Sequence, residues 1–347
     1  MVWFDESRLD DATALAAADL RLRTLAESGS RVRREVDGST DAIAEAVARS
    51  IDTRPRAVIA AGPDSRLLRA VLEPFCPVPF VAWPSPALPG WAGSLDLVVV
   101  LAPEGGDAGT ALAVAEAARR GCQLVVAAPP DSVVAEHATG RWTTLLPTST
   151  GDQLATAVAM LSFLDQVHLG PTAEPDAVAD ALDAVAIACS PHRDISINPA
   201  KMLAIALADA NPLLWGGSVL AARAARRVAE SIRRTSGRTA LAADAEHLLP
   251  VVEAARPRNV FADPMMDGAD SGERRPVLVI LDDGVDDPVV RDQRQRLEDA
   301  AHSRDVRIEH VSSEATGEVA RYASLLLSGT YAAEYLRLGL VDDDAFG

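Results

Sequence analysis

The stretch Val98-Val99-Val100-Leu101-Ala102-Pro103-Glu104-Gly105-Gly106-Asp107-Ala108-Gly109-Thr110-Ala111-Leu112 decides the fold. It reads as an apolar strand, a Gly-rich loop and the first turn of an Ala-rich helix. In a parallel α/β protein such a junction is where a phosphate sits, because backbone N–H groups and the helix dipole converge there. This loop carries two carboxylates, Glu104 and Asp107. They read in two ways: as a solvated loop acid with a helix-starting Asp, or as groups placed to bind a cation or a basic partner.

The same pattern extends in both directions. Ala57–Ala61, Phe80–Trp83, Leu95–Leu101, Leu124–Ala128 and Thr143–Leu146 are short apolar runs, separated by helices near Ser65–Leu72 and Asp107–Arg120. Continuous apolar strands alternating with amphipathic helices mean a parallel sheet covered on both faces. Residues 9–50 read as helical, with a second helix starting near Asp41. Two long helices over about 152–168 and 175–189 follow, joined by Gly170-Pro171. A second alternation then begins: a helix at 198–209, a strand at 212–215 ending in Gly216-Gly217, and a helix over 219–234. A strand at 276–281, a helix at 288–302, a strand at 306–311 and a mostly helical 314–340 complete it. The polar, turn-rich segment 259–275 reads as a mobile loop.

Composition narrows the function. The 347 residues are 48% hydrophobic, enough for two packed domains, and carry a net charge of −17, which argues against nucleic-acid and anionic-membrane partners. No run reaches the roughly 18–20 apolar residues of a membrane helix, and no basic-then-apolar leader opens the chain. A cytoplasmic protein is expected. Cys76, Cys122 and Cys189 are scattered and odd in number, so they read as free thiols. His137, His168, His192, His302 and His310 show no ligand spacing, so no metal and no cofactor are expected.

Asn198-Pro199-Ala200-Lys201, followed by Leu203-Ala204 and Leu213-Leu214-Trp215-Gly216, resembles the start of the second domain in the bifunctional phosphoglucose/phosphomannose isomerases of the SIS (sugar isomerase) fold. The run Leu325–Leu336 is similar to that family's closing helix. Within the family the chain resembles the divergent actinobacterial TobH-like branch. The resemblance implies two SIS-type αβα sandwich domains: N-terminal helices plus the first SIS domain over 1–150, a helical linker over 151–195, and a second SIS domain with the C-terminal helix over 196–347. It also implies a sugar-phosphate ligand, a role in carbohydrate metabolism and a homodimer. The uncharged stretch Tyr322–Leu327 reads as apolar surface for the second subunit.

Against the family's Ser-x-Ser-Gly-x-Thr phosphate loop this chain sets Ala102, Glu104, Gly105 and Asp107, so only Gly105 and the later Thr110 survive. The family's Gly-Gly-Ser turn corresponds to Gly62-Pro63-Asp64-Ser65. Its His-Asn-Glu segment falls near Asp244–Leu249, where Glu246 and His247 are the candidate acid/base pair, in altered order. The family's terminal Lys-bearing helix has no counterpart in Asp342–Gly347. Independently of the family, Gly216-Gly217-Ser218 at a strand-to-helix turn is a sound anion site. The helix from Val219 bears the dense basic patch, in which Arg226 and Arg227 are the candidate anion ligands; otherwise the patch is a solvated face. Ser65, Gly105, Thr110, Gly216, Gly217, Ser218, Arg226 and Arg227 are therefore the expected ligand-binding residues. Three functions stay open: a binding or regulatory homologue with reduced or lost catalysis, an active aldose–ketose isomerase of hexose 6-phosphates, and a structural partner of another enzyme.

Overall fold

The computed structural model describes residues 2–50, 54–255 and 274–342. The segment 259–275 expected to be mobile lies, as far as residue 273, outside them. Strand β1 is Val2–Phe4. Helix α1 (Ala12–Ala26) starts on the Asp11 carboxylate, which accepts the Ala14 amide at 2.7 Å. Helix α2 (Ser28–Ser50) follows at once, so the break expected near Asp41 lies at Glu27 instead. The helix runs through Gly38 because open space surrounds that residue, and the next one is tied down by tertiary structure: buried Ser39 donates its hydroxyl to the Pro147 carbonyl at 3.0 Å.

The alternation then appears as read: β2 (Val58–Ala61), α3 (Ser65–Leu72), β3 (Phe80–Trp83), β4 (Leu97–Leu101), α4 (Ala108–Arg119) and β5 (Gln123–Ala128). After them come α5 (Val133–His137), β6 (Thr143–Pro147), α6 (Gln153–Gln166) and α7 (Pro175–Ala188). The second series is α8 (Pro199–Leu207), β7 (Ala210–Gly216), α9 (Val219–Ser236), β8 (Leu241–Ala242), α10 (Ala245–Glu253) and β9 (Arg275–Asp282). It ends with α11 (Pro288–Ser303), β10 (Arg307–Ser312), α12 (Glu318–Gly339) and β11 (Leu340–Asp342).

The chain divides into two compact units, residues 28–180 and residues 1–27 with 181–347. In the 28–180 unit a parallel sheet has the order β3-β2-β4-β5-β6. Every residue of β4 is buried, as a strand covered on both faces requires. Its core joins Ile59, Val98, Val100, Ala111, Leu124 and Val134.

The other unit carries a parallel sheet of order β10-β9-β7-β8. Leu213, Trp215, Leu248, Leu278, Ile280 and Leu297 form its core. The antiparallel pair β1–β11 joins the two ends of its chain. Helix α12 is its central element, packed by α1, α8 and α9. Tyr322, Ala323, Ser324, Leu325 and Leu327 are buried there, so the stretch expected to offer apolar surface to a second subunit is consumed inside the unit itself. The three cysteines are free, and burial pushes the Cys189 thiol up to about 12.

Candidate functional site

Both sheets change strand direction in sequence order at one place. In the 28–180 unit that point lies between β2 and β4; in the other it lies between β7 and β9. In open α/β sheets ligands bind in the crevice at the carboxyl ends of such neighbouring strands. The loops that follow these four strands are therefore the stations to inspect.

After β4, the loop 102–107 leads from the strand to the N-terminus of α4, and its polar groups bond within the loop and its neighbours. Asp107 is the N-cap of α4: its Oδ2 accepts the Thr110 amide at 2.6 Å and the Thr110 hydroxyl at 2.6 Å. Thr110, an expected ligand residue, is thus buried and committed to Asp107. The Gly105 amide donates to Ala102 O at 3.0 Å, and its carbonyl accepts from Val134 at 3.2 Å. Gly105 has φ +67°, and a Cβ there would lie 2.2 Å from Ser132 Cβ. Its glycine is demanded by a left-handed turn packed on α5, not by a ligand. Glu104 is exposed.

After β2, Gly62 has φ +91° and its amide donates to Trp83 O at 3.0 Å. Ser65 closes that turn through its amide, while its own hydroxyl is buried without a hydrogen-bond partner among the described residues. Of the expected ligand residues in this unit, Ser65 alone keeps an uncommitted polar group.

A further loop of this unit was not anticipated. Glu35 of α2 is 1% exposed, and its carboxylate accepts the Ser149 amide at 2.9 and 3.0 Å and the Thr150 amide as well, just before α6. The signal was present in the sequence: Ser28, Val32, Glu35, Ser39, Ile43 and Ala46 fall at helical spacing on the buried face of α2. Glu35→Ala takes the shared acceptor from the Ser149 and Thr150 amides and leaves a cavity where the buried side chain was, so a loss of about 1–3 kcal/mol is expected from urea unfolding. Unchanged stability would show that the loop does not depend on this carboxylate.

In the 1–27/181–347 unit, Gly216, Gly217 and Ser218 follow β7. A Cβ on Gly216 would lie 2.2 Å from the Ala221 backbone, and one on Gly217 2.2 Å from Val290 Cγ1. Ser218 caps α9, accepting the Ala221 amide at 3.0 Å, and donates its hydroxyl to the carboxylate of Asp283, a buried residue directly after β9. The candidate cations are compensated by the protein: Arg226 faces Asp244 at 3.4 Å and Arg227 faces Glu230 at 2.7 Å. Glu246 and His247 stand exposed in the first turn of α10. Adjacent helix positions do not face each other, and among the described residues no hydrogen bond or ion pair joins them. The structure therefore does not assemble them into a proton-transfer pair. The described residues hold no group of three or more His, Cys, Asp and Glu able to bind a metal, and no helix among them is long and apolar enough to cross a membrane.

Residues 196–340 match the family model described as the bacterial phospho-glucose isomerase C-terminal SIS domain. Among solved structures, tagatose-6-phosphate ketose/aldose isomerase from Escherichia coli superposes with a TM-score of 0.66 at 12% identity, over 90% of this chain and 93% of that one. The C-terminal domain of glucosamine-fructose-6-phosphate aminotransferase from Francisella tularensis gives 0.63 at 12% identity, over 91% and 94%. The fold is that of the SIS phosphosugar isomerases. No curated protein sequence matches the chain. In this chain Asp107 and the Ser218–Asp283 pair stand at the helix N-termini that follow the switch-point strands β4 and β7.

Proposed function

We propose that this chain is a binding or regulatory homologue of the sugar-phosphate isomerases, of the divergent TobH-like branch, in which isomerase catalysis has been lost. The observation that carries the reading is the Asp107 carboxylate held by the Thr110 amide and hydroxyl at the N-terminus of α4. That carboxylate takes the hydrogen bonds a ligand phosphate would take, and it adds a like charge beside any phosphate that approaches. Two unit charges 4 Å apart repel by about 4 kcal/mol at the effective dielectric of a protein surface. Glu246 and His247, exposed and not joined by a hydrogen bond among the described residues, add to the argument, since proton transfer between two sugar carbons needs a positioned base.

A coupled assay tests this directly. No interconversion of fructose 6-phosphate with glucose 6-phosphate or mannose 6-phosphate is expected. Turnover near the enzyme median of about 10 per second, abolished by Glu246→Gln, would establish the active-isomerase reading in its place. Thermal shift against hexose phosphates and nucleotide sugars then identifies the bound carbohydrate derivative, because a ligand of the folded state alone raises the midpoint.

A further inference from the structure

The amino ends of the strands in the 28–180 unit carry a feature that the switch-point loops do not use. Aromatics are only 4% of this chain, yet Trp91 and Trp142 are 48% and 50% exposed. The strand register puts them on one edge of the sheet. Arg56, before β2, donates its amide to Leu95 O at 2.8 Å; Gln123, opening β5, donates to Asp96 O at 3.1 Å; Leu124 donates to Trp142 O at 2.9 Å. Leu95, itself 67% exposed, lies between the two indoles in strand order. All strands of this sheet are parallel, so this edge is opposite the loops of Gly62 and Gly105.

The loop of Trp91 is anchored, and each indole has an arginine beside it. The Arg56 guanidinium lies 5.7 Å from the Trp91 ring centroid, donates to Trp91 O at 2.9 Å and is anchored by the buried Asp96 at 2.6 Å. Arg120 pins the same loop through Pro89 O at 2.7 Å and Ala92 O at 3.1 Å. The Arg141 guanidinium lies 4.9 Å from the Trp142 ring. Exposed aromatic side chains beside arginines are the composition of binding hot spots, and the anchoring of the Trp91 loop lowers the ordering cost of association there.

Charge selects the occupant. Arg56, Arg119, Arg120 and Arg141 stand here against Asp96 and Glu116; Glu116 serves both Arg119 and Arg120, and Arg141 makes no ion pair among the described residues. The edge is thus locally positive on a chain of net charge −17. A two-fold contact with a second copy would set this positive edge against itself, and the net charge of −17 opposes a long polyanion that runs past this edge more than a short acidic segment confined to it.

We infer that the amino-end edge of the 28–180 unit docks an acidic polypeptide segment of another protein, with Trp91, Leu95 and Trp142 as apolar anchors and Arg141 as a charge partner. Docking there leaves the carboxyl-end loops open, so partner and carbohydrate ligand can be held together.

The test uses the full chain, with a short dye-labelled Glu–Tyr copolymer as probe and dye-labelled poly-Glu, poly-Lys and oligothymidylate of similar length as comparisons, followed by the anisotropy of the dye. The Glu–Tyr copolymer should bind best, weaken with added salt, and bind at least tenfold more weakly to Trp91→Ser/Trp142→Ser. Arg141→Glu, at an exposed position, should weaken binding several-fold without moving the melting temperature, which separates docking from folding. Equal affinity of wild type and both variants overturns the inference. Preferential binding of oligothymidylate, or a change of oligomeric mass in the double variant, overturns it in favour of a nucleic-acid face or a self-interface.

Discussion

Asp10→Ala is expected to destabilise the 1–27/181–347 unit more than Lys201→Met does, although both remove the same ion pair. Lys201 is wholly buried, and its ammonium has all its donors used: Asp10 Oδ1 at 2.6 Å, Pro191 O at 2.9 Å and Arg193 O at 2.9 Å, with the Tyr335 ring centroid 5.6 Å away. Asp10 is 42% exposed at its side chain. Removing the carboxylate leaves a buried cation with two carbonyls, the Tyr335 ring and only the weaker charge interaction with Asp194, a change that costs about 3–5 kcal/mol. Removing the ammonium with a methionine of similar length leaves a carboxylate that water reaches and two carbonyls short of a donor, which costs about 1–3 kcal/mol. Urea unfolding of the two variants checks the order. If Lys201→Met proves the more damaging, the ammonium is worth more to the unit than its counter-ion, and the burial argument fails. Either way Lys201, which stands in the stretch whose wording resembles the isomerases, has a structural duty here: it ties residues 191–193 to the segment ahead of α1.

Much of this architecture was readable because parallel sheets covered on both faces leave continuous apolar runs. Phe80–Trp83 and Ser65–Leu72 agree to the residue, and the strand expected over Leu95–Leu101 starts two residues later, at Leu97. What escaped has definite physical reasons. Helix α10 contains Pro250, which removes a backbone donor, so its sequence reads as a loop. Strand β8 is two residues long, too short for any period to show. The β1–β11 pair joins residues 2–4 to 340–342, and no local pattern reports a partner that distant. The start of α2 was misplaced because Gly38 and Ser39 look like a break, whereas the bond from Ser39 to Pro147 O holds the helix through them.

The site was legible in its backbone and much less so in its chemistry. The glycines were found, but their reasons differ from those a ligand would give: Gly216 makes room for the Ala221 backbone and Gly105 for Ser132. Asp107 could be read as a cap or as a ligand group, and the cap is what the hydrogen bonds show. Asp283 carries no signal of its pairing in the sequence, although an Asp-Asp-Gly closing an apolar strand marks a carboxyl-end loop, because its partner Ser218 lies 65 residues earlier in the chain. Contacts between loops of neighbouring parallel strands depend on the strand order, and spacing along the chain does not report that order.

The same hydrogen bonds predict what would reopen the first loop. In the wild type a hexose 6-phosphate should show no calorimetric binding that depends on residues 102–107. Combining Ala102→Ser, Glu104→Ser and Asp107→Thr removes two negative charges and adds three hydroxyls, while a threonine at 107 can still cap α4. The amide of Gly105 stays committed to Ala102 O, so the gain must come from the new hydroxyls and from the start of α4. A hydrogen bond to a charged group contributes about 1.5–3 kcal/mol, and each 1.4 kcal/mol is about tenfold in affinity. Two such bonds therefore raise affinity by roughly 10²–10⁴, enough to bring an undetectable site into the millimolar-to-micromolar range. Isothermal calorimetry on both proteins decides it. Tight sugar-phosphate binding by the wild type, lost on Thr110→Val with Glu104 and Asp107 intact, would mean that Asp107 releases Thr110 to the ligand. The carboxylate would then be a gate on a working cradle rather than its permanent occupant.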